Sequence, residues 1–211
     1  MSRPARLVVD ASRPSPGTLA EAARSLHAGE LVAFPTETFY GLGAHALDEA
    51  AVGRVFDAKG RPADKPLLVL VDSIRMVSSV ARDVPARARR LMDRYWPGPL
   101  TLVLPAHPGL PAALTAGTGT IGVRLSGHPV ARALVAVLGA PITAPSANPH
   151  GAPSPRTAGE VAAGLADRIA LILDGGPTPG GPASTLLDLT RTPAVVLRAG
   201  AVVPTREDLE A

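Results

Sequence analysis

Short apolar runs of strand length alternate with helix-periodic segments along most of the chain, and that alternation confines it to the α/β class. Residues 18–28 put Leu19, Ala22, Ala23 and Leu26 on one helical face, with Gly29 as a stop signal. A strand follows at 31–34 and Pro35 breaks it. Asp48 reads as the N-cap of a helix that buries Val52, Val55 and Phe56 and stops at Gly60. Residues 67–71 form a continuous apolar strand of the kind covered on both faces. Residues 84–95 read as a basic amphipathic helix with Arg87, Arg89, Arg90 and Arg94 on its solvated side. Strands are expected at 100–104 and 121–125. Pro129 opens a helix that ends at Gly139, with Val130, Leu134, Val137 and Leu138 inside. Thr157 and Glu160 fit a capping box, and strands at 169–173, 185–189 and 194–197 complete the set.

Several of these strands follow one another through Gly/Pro turns rather than helices. A mixed, twisted sheet flanked by helices therefore fits better than a regular doubly wound one. No repeat or linker divides the chain, so residues 1–211 read as one domain, with a core from about 15 to 203 and a short C-terminal tail.

Composition narrows the function. Aromatics are only 3% of the residues, so a core drawn from the 46% hydrophobic content must be built of Ala, Val and Leu. The longest apolar runs are too short to span a bilayer, and the N-terminus lacks the apolar core of a signal peptide, which predicts a soluble, cytoplasmic protein with no membrane role. Without cysteine there is neither a disulfide nor a thiolate metal site, and His27, His45, His107, His128 and His150 show no metal-ligand spacing. A net charge of +3 permits nucleic acid or anionic substrates without demanding either. The chain has 21 Lys plus Arg but only two lysines, Lys59 and Lys65, both in the stretch KGRPADK. That clustering points to a local need for compact ammonium groups.

Five polar loops lie between the expected elements. In PTETFYGLG, Thr36, Thr38 and Tyr40 offer hydroxyls just past a strand, and Gly41 and Gly43 would let backbone approach a ligand; a tight turn with capping threonines explains the same residues. KGRPADKP is either a polyphosphate site or a solvated basic loop. In GTGTIGVR, Arg124 lies inside an apolar run, where an unpaired guanidinium is costly to bury. It should face a carboxylate, from a side chain such as Asp188 or from a substrate. Ser146, Asn148 and Ser154 in TAPSANPHGAPSP suit an anion site near a helix N-terminus, or simple Asx and Ser turns. The last loop ends at Ser184 and Thr185 and leads to Arg198, whose alternative partner is Glu207 or Asp208. There is no Walker A sequence, no nucleophile elbow and no dinucleotide fingerprint. What remains is a site that binds and orients anions.

Taken in order, FPTETFYGLG, KGRPADKPL, YWPGPLTLVL, TIGVRLSGHP, APSANPHGAPSP, DGG with ASTLLDL, and LRAG closely resemble the YrdC-like threonylcarbamoyl-AMP synthase family. The resemblance runs from about residue 29 to residue 200. It implies a twisted α/β sheet with a large, positively lined concave face. The family's Lys-x-Arg and Ser-x-Asn signature falls on Lys59, Arg61, Ser146 and Asn148, with Lys59 and Arg61 as the catalytic pair. ATP contacts are implied for Lys59, Arg61, Lys65, Thr120, Ser146, Asn148, Ser154 and Arg198, and a threonine pocket for Thr38, Arg124, Ala144 and Ser184. Leu70 stands where some members carry His, and His150-Gly151 where Ser-Gly is frequent.

The implied reaction forms threonylcarbamoyl-AMP and pyrophosphate from L-threonine, bicarbonate or CO2 and ATP, a nucleotidyltransferase step toward N6-threonylcarbamoyladenosine in tRNA. Mg²⁺ would accompany ATP, and downstream proteins would transfer the threonylcarbamoyl group to tRNA; direct RNA binding is also allowed. Two other readings use the same positive surface: a non-catalytic RNA-binding module, and a carbamoyl-transfer domain for another acceptor. Only six aromatics are available for base stacking, and they follow no strand-face pattern.

Overall fold

Ser15 starts the first helix. Its hydroxyl accepts from Thr18 N at 3.2 Å, Pro16 takes the first turn, and α1 runs Pro16–His27, two residues earlier than periodicity alone predicts. The computed structural model describes residues 4–210; residues 1–3 and 211, at the ends of the expected domain, lie outside them. The caps expected at Asp48 and Thr157 hold, and His128 adds one that the sequence did not suggest. Asp48 accepts from Ala51 N to open α2 (Glu49–Lys59), and Gly60 closes it at φ 58°. His128 Nδ1 accepts from Val130 N ahead of α5 (Pro129–Leu138), and Thr157 and Glu160 form the capping box of α6 (Ala158–Leu165). Val137 does not turn inward as expected: it is 45% exposed, because α5 packs on α1 through Val130, Ala131, Leu134 and Leu138. On α3 (Ala86–Tyr95), Arg89, Arg90 and Arg94 are exposed, but Arg87 is half-buried and donates to the carbonyls of Leu189, Arg191 and Leu209.

The strands form two mixed sheets. One has the order β1-β8-β2-β3, from Ala5–Val8, Leu171–Asp174, Val32–Phe34 and Gly41–Gly43. The other has the order β10-β9-β5-β6-β4-β7, from Val195–Arg198, Thr185–Asp188, Leu100–Pro105, Thr120–Arg124, Leu68–Leu70 and Ile142–Thr143. Three of these strands, β1, β3 and β7, are very short or fall where the sequence reads as loop.

An antiparallel ladder between β3 and β7 joins the two sheets. Bridges Gly41↔Ser146 and His45↔Ile142 share one register. Between and beyond them Leu42 N donates to Pro145 O (2.8 Å), Thr143 N to Ala44 O (3.0 Å) and Ala147 N to Tyr40 O (2.9 Å). Pro145 has no N–H to return to Leu42 O. The Thr143 hydroxyl replaces it, donating to Leu42 O at 3.0 Å while accepting from Ala44 N at 2.9 Å. The single mixed sheet expected from sequence is thus two sheets sewn together at a proline-interrupted seam.

Both faces of this surface are covered. Helices α1 and α5 pack on Val32, Phe34, Leu70, Leu171 and Leu173 on one side. The opposite side carries Ala33, Val69, Val71 and Ile172 into the larger core with α2, α3 and α6. Phe34 explains two glycines: a Cβ at Gly43 would stand 2.9 Å from its ring and one at Gly41 3.1 Å. Their lack of a side chain makes room for an aromatic ring.

The segment after Val203 is docked rather than a loose tail. Residues Arg206–Glu210 form α7, the last of seven α-helices among the described residues, of which α4 (Ala112–Thr115) is a single short turn. Asp208 is buried and accepts from the Tyr95 hydroxyl at 2.7 Å and from Thr205 N at 2.8 Å, and it pairs with Arg94 at 3.2 Å.

The seam can be tested directly. Thr143→Val keeps the shape but leaves the Leu42 carbonyl and Ala44 amide unpaired in the interior, which should cost about 2–4 kcal/mol. Thr143→Ser should lose much less, and urea unfolding of the two variants measures the difference. A Thr143→Val protein as stable as the parent would refute the seam's importance.

Candidate active site

Strand register decides which side chains meet. Leu68 and Leu70 on β4 pair with Gly122 and Arg124 on β6, so all four share a face. Val103 pairs with Gly122, and Arg198 with Leu186, which extends that face to β10. Over β8, β2 and β4 the face lies under α1 and α5. Past β4 it becomes the floor of a cavity of ≈ 410 Å³. The walls come from the seam: Thr36, Thr38 and Phe39 precede β3, and Ala144, Pro145 and Ser146 follow β7.

Arg61, Arg124 and Arg198 line the cavity, and among the described residues no carboxylate does. Each guanidinium is tied to backbone. Arg61 donates to Lys65 O (3.2 Å) and Pro66 O (3.0 Å). Arg124 Nε donates to Gly98 O (3.2 Å). Arg198 donates to Ser184 O through Nε (3.1 Å) and Nη2 (2.8 Å), and to Ser184 Oγ (3.0 Å). None of these bonds uses Nη1, which leaves a donor on each group. Burial lowers the Arg198 pKa and the neighbouring Arg124 charge lowers it further. A guanidinium near a second cation and without a carboxylate partner among the described residues, as Arg198 is, favours an anion beside it.

The hydroxyls divide by role. Thr36 Oγ1 donates to Phe39 O (2.6 Å) and accepts from the amides of Thr38 and Phe39, so it shapes the turn. Thr38 Oγ1 contacts only Thr36 Oγ1 (3.2 Å) among the described residues. Tyr40 spends its hydroxyl on Gly176 O (2.8 Å), and burial, then Asp174, pushes its pKa up to about 12. Ser184 Oγ sits 2.8 Å from Thr101 Oγ1, and Thr120 Oγ1 sits 2.9 Å from Thr118 Oγ1. Ser146 and Ser154 also line the cavity.

Three residues singled out in the sequence do not line it. Lys59 is 4% exposed and donates to Ser146 O (2.5 Å) and Asn148 O (2.6 Å), behind the loop that forms the wall. Burial, with a smaller effect from Arg61, lowers its pKa to about 8. Asn148 donates to Pro149 O and Ala152 O and braces the same loop. Lys65 is exposed, with Nζ 3.3 Å from His150 Nε2.

Sequence reasoning missed Glu37. It, not Asp188, is the carboxylate beside Arg124, with Oε1 2.5 Å from Nη2. That contact is ionic rather than an aligned hydrogen bond, since Arg124 Nη2 has no hydrogen-bond partner. Glu37 also accepts from Ser126 Oγ (2.5 Å) and Gly127 N (2.9 Å), pinning the loop after β6. Asp188 instead pairs with Arg191, and Asp208 with Arg94 rather than Arg198. The one sequence signal for Glu37 was its position between two threonines at a strand end; the register that brings it to Arg124 is not local.

Residues 24–200 match the Sua5/YciO/YrdC family, whose description reads "Telomere recombination". The chain is 50% identical over 179 residues to the threonylcarbamoyl-AMP synthase of Pyrococcus abyssi, covering 85% of this chain and 53% of that relative. It is 47% identical over 194 residues to the threonylcarbamoyl-AMP synthase of Bacillus subtilis, covering 92% and 56%. The chain therefore spans about half the length of these curated relatives. The solved structure of P. abyssi Sua5 complexed with L-threonine matches with a TM-score of 0.89 at 47% identity, over 92% of this chain and 57% of that one.

Glu37 gives a pH signature. Burial raises its carboxyl, but the Arg124 charge with the Ser126 and Gly127 hydrogen bonds outweighs burial and holds it below the ordinary 4.5. A depressed carboxyl adds stability above its unfolded value and loses it as pH falls through the folded one. Glu37→Gln should therefore cost about 1.5–3 kcal/mol at pH 7, with the gap to the parent closing as pH drops below 4.5. Thermal melts across pH 3–7 measure it; a gap that does not narrow would rule out the ion pair as the source.

Proposed function

The chain belongs to the Sua5/YciO/YrdC family, and from that premise we propose that it makes threonylcarbamoyl-AMP and pyrophosphate from L-threonine, bicarbonate or CO2 and ATP. The observation that carries the proposal is the cavity itself: three backbone-anchored guanidinium groups and a set of hydroxyls beside apolar Leu70 and Ala144, with no carboxylate in the lining among the described residues. A site of that charge suits a carboxylate and a polyphosphate held together.

The chemistry asks for positioning. The threonine amine takes up CO2 to give an N-carboxylate and releases a proton. One carboxylate oxygen then bonds to the α-phosphorus of ATP as the bond to the β-phosphate oxygen breaks and pyrophosphate leaves. Holding the two anions in line supplies most of the advantage. Arg124 would take the threonine carboxylate, Thr38 and Ser184 would orient the amino acid, and Ala144 and Leu70 would receive its methyl group. Arg61, Arg198 and the more exposed Lys65, with Thr120, Ser146 and Ser154, would hold ATP and offset charge as the leaving group separates. Among the described residues no group of three His, Cys, Asp or Glu could hold a metal ion. Mg²⁺ therefore enters the proposal as part of the Mg·ATP substrate, ligated by its phosphates.

The product is a reactive mixed anhydride, so proteins that pass the threonylcarbamoyl group to tRNA are the expected consumers. A cytoplasmic site of action and direct contact with RNA belong to the same proposal. Among the described residues no helix is long and apolar enough to cross a membrane.

The test is pyrophosphate release from Mg·ATP, with threonine and bicarbonate each supplied or withheld and with serine in place of threonine. Release that needs both co-substrates is expected, with serine poorer for want of the methyl contact. Folded protein that releases none under any condition would overturn the proposal and favour RNA binding alone. Two variants locate the sites. Arg124→Lys should raise the threonine KM roughly tenfold or more, because one ammonium cannot replace the planar fork. Arg61→Ala should lower kcat/KM for ATP by a similar or larger factor, as a lost charge-assisted contact is worth about 1.5–3 kcal/mol. An unchanged constant in either variant would remove that residue from its role.

A further inference from the structure

The signature Lys59 lies on the wrong side of its own loop to touch a ligand. It ends α2 and is almost wholly buried. Nζ donates to Ser146 O and Asn148 O at 2.5 and 2.6 Å, and its own carbonyl accepts from His150 N at 2.7 Å. The loop is held from the other side by the seam, where Leu42 N reaches Pro145 O and Ala147 N reaches Tyr40 O. Segment 145–150 is thus gripped between β3 and Lys59, while the Ser146 side chain remains in the cavity wall.

We propose that Lys59 is a positioning residue rather than a phosphate ligand: its ammonium draws the Ser146 and Asn148 carbonyls away from the cavity and fixes the loop that presents Ser146. Carbonyl oxygens turned inward would repel the phosphates of ATP, and two of them are committed to a buried cation instead. The inference deepens the proposed function and rests on it for its catalytic meaning, but not for its geometry. It also accounts for the residue type. A chain that otherwise uses arginine needs lysine here, because a planar guanidinium with five donors in a fixed fork does not match two carbonyls converging on one buried atom.

The two lysines make the test clean, since besides the N-terminus they are the only amines available to acylate. The folded full chain is treated with an acetyl N-hydroxysuccinimide ester, with and without Mg·ATP, and each lysine peptide is read by mass spectrometry. Lys65, which is exposed, should react and be protected by Mg·ATP. Lys59 should react on the order of tenfold more slowly or less in both conditions, because reagent reaches it only by local opening, and should label fully in urea. Slow labelling in the folded protein followed by full labelling in urea reports burial. Lys59 that labels readily and is shielded by Mg·ATP would be a phosphate ligand, and the proposal would fail.

A second measurement addresses the loop. Lys59→Met should speed amide hydrogen exchange across 145–150 with little change in the β5 and β9 amides, and the same variant should lose turnover. Unchanged exchange in that segment would overturn the strut. Labelling and exchange need no turnover, so an inactive parent would count against the reaction and leave the role of Lys59 to be decided by those two measurements.

Discussion

Pro145 cannot donate a hydrogen bond to Leu42, and the cavity is built around the replacement. A regular β3–β7 ladder would have exchanged amide for carbonyl at each pair; here the Thr143 hydroxyl stands in for the missing N–H and takes the Ala44 amide as well. The join therefore closes without leaving buried polar groups unpaired, which a fold cannot tolerate in number. Because both strands of the seam end in loops, the segment carrying Thr36 and Thr38 and the segment carrying Ser146 are brought to one rim. A proline in a joining strand ends regular pairing at the point where the chain must leave the sheet to line a cavity.

Buried charge is handled by two devices that do different work. Arg124 has a counter-charge in Glu37, so removing either partner strands the other. Lys59 has carbonyl dipoles and no carboxylate, so its positive charge is held by hydrogen bonds and remains uncancelled behind the wall. Arg61 and Arg198 follow the second pattern with Pro66 O and Ser184 O. Carbonyl anchoring fixes direction while leaving net charge to the site; carboxylate pairing fixes direction and removes charge. The region around the cavity uses the carboxylate device only at Arg124, the most buried of its three arginines.

What could be read from the sequence was what is local. Ser15 apart, the caps at Asp48, His128–Pro129 and Thr157–Glu160 depend on residues within one turn, and they were legible or nearly so. The strands β3 and β7 were not, because they are three and two residues long and carry glycine or end at proline. Arg87 and Val137 were misassigned for a shared reason: periodicity places a residue on a face, but the neighbour that meets that face comes from distant chain. The loops of the cavity were legible as polar interruptions in an apolar chain and through their family resemblance. The partners of Arg124 and Lys59 were not, since each contact spans 87 residues and is set by ladder register. Gly41 and Gly43 have a packing reason in Phe34 that the sequence could not show, and Gly41 also lines the cavity.

The free cavity is an electrostatically unfavourable arrangement that binding would relieve. The Arg124 charge adds to burial in lowering the Arg198 pKa, and Arg198 has no carboxylate partner among the described residues to offset that effect. Anchoring to backbone means that the cost of ordering these long side chains is met on folding and not on binding. An anion entering beside Arg198 therefore gains attraction and offsets the neighbouring positive charge, with little side-chain entropy left to lose. The positive charge that Arg198 feels in the free protein is a direct consequence of lining one cavity with three arginines.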